Sequence, residues 1–121
     1  MLYTIEAVKD AKYINLFFLS EPTMKELEAS YAEVNDALVV YKWKKVLIES
    51  TGSKPKLSLY EHIKFTNKLL SIFPEDVCIA IIHHWAFEVD DLFVEYLARN
   101  CGLNLKFFSC KDKALSWLNS N

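Results

Sequence analysis

The spacing of apolar residues changes period several times along the chain, and each change predicts a new element. "LYTIEAV", residues 2–8, alternates apolar and polar side chains, as a strand with one covered face does. "YINLFFLS", residues 13–20, is more continuously apolar and predicts a strand covered on both faces. The short turn at residues 9–11 makes these two an antiparallel hairpin. The period then lengthens: Leu27, Tyr31, Val34, Leu38 and Tyr41 recur at helical spacing, behind a Thr23–Glu26 capping box. "KVLIES" predicts a third strand, and Ser58 with Glu61 a second capping box. The helix that follows carries Leu59, Ile63, Thr66, Leu70 and Phe73 on one face and stops at Pro74. "VCIAIIHH", residues 77–84, is the most apolar run and predicts a central fourth strand. Val89, Phe93 and Leu97 stripe a third helix, with acids in its first turn and Gly102 past its end. "LNLKFFS" and "KDKALSWLNS" supply a last strand and a closing helix. The order β-β-α-β-α-β-α-β-α predicts an α/β fold: a mixed five-stranded sheet with an antiparallel N-terminal hairpin and parallel later strands.

Composition narrows the class. The 121 residues suit one domain, spanning 1–121, and 52% hydrophobic content with only 2 Gly and 3 Pro describes a chain with a packed core. The formal net charge is −2 and no block of basic residues occurs, so a nucleic-acid partner is not expected. No apolar run reaches the roughly 20 residues that span a bilayer, so no integral membrane segment is expected. The first residues lack the charged and apolar regions of a secretion signal. Cys78, Cys101 and Cys110 are odd in number and read as free, mostly buried thiols, which places the chain in the cytoplasm.

Candidate chemistry gathers in loops. In open α/β sheets ligands sit beyond the carboxyl ends of the parallel strands, here residues 49–58, 83–87 and 109–112. Glu49, Ser50, Thr51, Gly52, Ser53 and Ser58 form one candidate ligand or partner loop, joined by His83, His84 and Trp85. "STGSK" is not a P-loop, because it has a single glycine and Pro55 interrupts the approach to the helix. A weak anion nest at Gly52 and the Ser53 amide is the sharper reading, and a solvated crossover the plainer one. His83 and His84 are consecutive in a strand and point to opposite faces, so they do not chelate one metal, and no metal or other cofactor is expected. A Glu49–His83 pair across strand ends is either structural or a catalytic dyad. No Ser-His-Asp or Cys-His order is visible, and no cysteine sits at an obvious helix N-terminus beside a basic residue. Tyr41 and Trp43 are interleaved with Lys42, Lys44 and Lys45, as an anchor for a partner or an anionic surface, or as a plug for the helix-to-strand turn.

The element order, with "KVLIES" third, "VCIAII" fourth and the closing block "ARNCGLNLKFFSCKDKALSWL", resembles the STAS domains and, more closely, the SpoIIAA-like family related by fold to CRAL-TRIO and SEC-fourteen-like domains. The resemblance implies a SpoIIAA-like fold. In anti-sigma-factor antagonists of that type a phosphorylatable Ser or Thr lies where the loop after the third strand enters a helix. The matching position here is Ser58, within Leu57-Ser58-Leu59, without the Asp-Ser pair or glycine of the family's run. Ser58 is therefore expected as a helix N-cap, with phosphorylation as the alternative role. The expected function is a non-catalytic regulatory or protein-interaction module. A protein partner or a second copy of the chain would then be what it binds. The alternative is a binder of a small apolar or anionic ligand or a lipid, and an enzyme of unknown reaction is third.

Overall fold

A computed structural model describes residues 3–20, 22–50, 59–82, 89–100 and 102–121. Its elements run β1 (Tyr3–Val8), β2 (Tyr13–Phe18), α1 (Met24–Tyr41), β3 (Lys45–Ser50), α2 (Leu59–Ile72), β4 (Cys78–Ile82), α3 (Val89–Asn100), β5 (Asn104–Phe108) and α4 (Lys111–Asn119). The strands lie in chain order, β1-β2-β3-β4-β5. β1 and β2 are antiparallel, with Val8 opposite Tyr13, and every later pairing is parallel. The order and sense of the elements are those the periodicities predict.

The layers follow from strand alternation. Val46 and Ile48 of β3, Ile79 of β4 and Leu105 of β5 point to one face, where Leu27, Tyr31, Val34 and Leu38 of α1, Leu69 of α2 and Ala98 of α3 cover them. Leu47, Ala80 and Ile82 point to the other face, where Ala114 and Leu118 of α4 meet them. Three helices thus cover one side of the sheet and a single short helix the other. β3 lies in the middle of the sheet and is buried on both faces, which is why "VLI" contains no polar break.

Local chemistry fixes the element ends. The Thr23 hydroxyl accepts from the Glu26 amide at 3.2 Å, and Glu26 accepts from the Thr23 amide at 3.0 Å, completing the first capping box. α1 stops at Lys42, whose φ of 61° is left-handed and whose N–H donates to the Leu38 carbonyl. α3 ends in a Schellman turn: Leu103 N–H donates to Ala98 and Gly102 N–H to Arg99, with Gly102 at φ 90°. A Cβ at Gly102 would also come within 3.3 Å of Glu75 Cγ, so this position is reserved for glycine on two grounds.

β4 lies inside the sheet, between β3 and β5, and β3 is the middle strand. Within β4, Ile81 is only partly buried, whereas Ile79 is fully enclosed, as are Val46 and Leu47 of β3. Two expectations are corrected. Tyr41 does not extend the buried stripe of α1; it is exposed and stacks on Trp43, ring centroids 4.5 Å apart. On α2 the deeply buried position is Leu69, and Leu70 packs only partly buried against the core.

The burial of Ile79 makes it the informative core substitution. Ile79→Ala is expected to lower stability by about 2–5 kcal/mol through lost transfer energy and the cavity left behind. Ile81→Ala is expected to lose less than Ile79→Ala. Urea unfolding of both variants checks the ranking, and equal losses would contradict the layer assignment.

Candidate functional site

The carboxyl ends of β3 and β5 and the start of α4 converge at one end of the sheet. Glu49 follows Leu47 on the α4 face of β3, so its side chain points toward α4. There Oε1 of Glu49 lies 3.4 Å from Nζ of Lys111, the first residue of α4. Glu49 is mostly buried and Lys111 half exposed, so the ion pair ties the end of the middle strand to the helix beneath it. Sequence reading offered His83 as the partner of Glu49; Lys111 is the partner seen among the described residues. Ser50 closes β3 through its backbone. Thr51, Gly52, Ser53, Ser58, His83, His84 and Trp85 lie outside the described residues. α2 begins at Leu59, the residue after Ser58.

Cys110 corrects a further expectation. It occupies the N-cap position of α4, in extended conformation, with no side-chain capping bond, and Lys111 follows it. It is exposed, whereas Cys78 is buried, and both are free thiols. The helix starts at the first lysine of "KDKALSWLN", which makes the preceding cysteine its cap and gives a thiol the basic, helix-end setting that the sequence reading had not assigned to any.

Glu95 was not singled out at all. It sits in α3 between positions of the apolar stripe and is only 7% exposed. Its Oε1 accepts a hydrogen bond from the backbone N–H of Phe107 at 2.7 Å. Phe107 belongs to β5, the edge strand, so α3 supplies the acceptor that a further strand would have supplied. No short-range pattern signals such a residue, because its partner arrives from an element that follows it in the chain.

Large apolar side chains are exposed on α2 and α3. Tyr60, in the first turn of α2, is 73% exposed; Leu92, in the first turn of α3, is 55% exposed, and Tyr96, in the second half of α3, is 63% exposed. The two helices pack together and both start at the carboxyl end of the sheet. A groove of about 230 Å³ lies at the opposite end, lined by Leu38, Val39, Trp43, Pro74 and Val77. Among the described residues no three His, Cys, Asp or Glu gather as metal ligands, and no helix is long and apolar enough to cross a membrane.

Two ionisations follow from local contacts. The Lys44 ammonium, 2.8 Å from Asp76, holds that carboxyl below its usual range. Burial pushes the Tyr31 phenol up. Neither group belongs to the carboxyl-end cluster.

With this geometry in hand the chain can be set beside known proteins. No family model matches the sequence, and no curated protein matches it. Among solved structures it is similar to an uncharacterized protein of the DUF3478 family with a SpoIIAA-like fold from Shewanella loihica PV-4. The match has a TM-score of 0.59 at 23% sequence identity and covers 96% of this chain and 91% of that one. This chain has a SpoIIAA-like α/β fold, as its closing block and element order imply.

The Glu95 contact has a measurable consequence. Glu95→Ala removes the acceptor from the part-buried N–H of Phe107, an expected loss of about 1–3 kcal/mol for a bond to a charged group. Glu95→Gln keeps an amide oxygen in place and is expected to lose less than half as much. Chemical denaturation of both variants is the check; equal losses would show that packing, and not the hydrogen bond, holds α3 against β5.

Proposed function

We propose that the chain, as one domain spanning residues 1–121, is a non-catalytic regulatory or protein-interaction module that works through the carboxyl end of its sheet. The observation that carries this reading is the exposure of Tyr60 and Leu92, at the starts of two packed helices, with Tyr96 further along the second. Exposed large apolar side chains favour contact with another protein, and tyrosine is among the residues enriched where such contacts are strong. The Glu49–Lys111 pair supports the same reading: it ties the end of β3 to the start of α4. A partner would then meet a firm platform. The free thiols of Cys78 and Cys110 support a reducing, cytoplasmic setting.

Ser58 would act within this surface as the N-cap of α2, or as a phosphoacceptor whose added charge meets the helix N-terminus. The two roles separate in a paired measurement. If capping is its whole role, Ser58→Ala loses about 0.5–2 kcal/mol of stability and Ser58→Asp loses little. Binding of a partner captured with the wild-type chain is then the same for all three. If Ser58 is a switch, Ser58→Asp weakens binding while Ser58→Ala retains it.

These exposed side chains are tested by Leu92→Asp and Tyr96→Ala. Both residues are exposed, so melting is expected to stay within about 0.5 kcal/mol of wild type. Affinity for the captured partner is expected to fall by at least about tenfold, as for loss of an interface anchor. Undiminished affinity in both variants would place the interaction elsewhere.

A further inference from the structure

The opposite end of the sheet carries a second surface that the proposed interaction does not use. Four connections meet there: the β1–β2 turn, the α1–β3 and α2–β4 links, and the turn after α3. The pairing register brings their flanking residues together, with Ile14 beside Val46, Lys45 beside Cys78, and Cys78 beside Asn104. In these connections, the last helical turns and the first strand residues, the cations are Lys9, Lys12, Lys42, Lys44, Lys45 and Arg99. The acids are Asp10, Glu75 and Asp76, and Asp76 is already taken by Lys44. The chain as a whole has a net charge of −2, so this end is positive on a molecule that is otherwise negative.

The same end exposes apolar side chains without a structural reason. Trp43 packs partly against the core and stacks on Tyr41, which accounts for both rings as a plug over the helix-to-strand turn. Val39 and Val40, in the last turn of α1, are 68% and 76% exposed. Valine is a poor helix former, so neither helix propensity nor burial explains two of them side by side at this helix end. Exposed aliphatic groups beside a Tyr–Trp pair and ringed by lysines match the interface of an anionic bilayer. Aromatic rings settle at headgroup depth, aliphatic side chains enter the acyl boundary, and lysines reach the headgroups.

We propose that the amino end of the sheet, centred on Val39, Val40, Tyr41 and Lys42 and flanked by Lys12 and Lys45, docks the protein on anionic lipid surfaces. The contact is peripheral, since it draws on a helix end and a few charges and not on a spanning segment. The orientation leaves Tyr60 and Leu92, at the starts of α2 and α3, at the far end, turned away from the bilayer. Nucleic acid shares the negative charge but has no acyl layer to receive Val39 and Val40.

The test uses the full chain with vesicles of mixed phosphatidylglycerol and phosphatidylcholine, or of phosphatidylcholine alone, read by co-sedimentation. The wild type is expected to sediment with the anionic vesicles, to stay in solution with the neutral ones, and to be released by high salt. Indole emission is expected to shift to shorter wavelength on binding, and Trp43→Phe to remove most of that shift. The double variant Lys12→Glu/Lys42→Glu is expected to bind at least about thirtyfold more weakly, since losing two basic residues at roughly 1 kcal/mol each already accounts for that much and the new carboxylates add repulsion. Val39→Ser/Val40→Ser is expected to weaken binding without changing its salt dependence. Both variants replace exposed side chains, and circular dichroism confirms that they fold. The proposal is overturned if the wild type ignores anionic vesicles, if charge reversal leaves binding unchanged, or if a DNA or RNA oligonucleotide binds through these lysines while vesicles do not.

Discussion

Everything in this fold depends on burying β3 from both sides at once. A middle strand has no solvent face on which to place a polar side chain, and Val46, Leu47 and Ile48 meet that condition in three consecutive positions. Strand alternation then divides the helices. Val46 and Ile48 need the broad layer built by α1, α2 and α3, while Leu47 needs only the short α4 beneath it. Parallel pairing on both sides of β3 forces each connection to cross the sheet through a helix, which is what gives the molecule two ends with separate chemistry.

The ends of β3 show how that burial reaches function. At its carboxyl end the last charged residue cannot escape to solvent, and Glu49 is held by Lys111. At its amino end the chain emerges through Trp43, Lys44 and Lys45, and the lysines remain wet while the ring packs. The sheet edges are managed differently. β1 alternates its burial, as an outer strand with one wet face does. At β5, Glu95 occupies the hydrogen-bonding edge at Phe107 and so removes a site where another strand could pair.

The architecture was legible in the sequence because it rests on periodicity, which short windows report. The switch between period two and helical spacing located all nine elements, and the capping box at Thr23 and the glycine at 102 marked two ends that the structure shows. What was not legible depends on pairing between distant segments. The apolar run of β4 is as continuous as that of β3, and only strand order shows which is central. Ile81 looks like Ile79 in sequence and differs in what covers it. Glu95 and Lys111 gain their meaning from partners on other elements, and Cys110 from a helix that begins one residue after it. Of the expected loop residues the structure reports on the side chain of Glu49, which pairs with Lys111, while His83 lies outside the described residues.

The dependence on β3 can be measured by native-state hydrogen exchange followed residue by residue. The amides of Val46, Leu47 and Ile48 are predicted to exchange only through global unfolding, with an opening free energy equal to that from urea denaturation. The amides of the outer strands β1 and β5 are predicted to open at lower free energy. Opening of β3 ahead of β1 or β5, or below the global value, would contradict the claim that the doubly buried middle strand holds the fold together.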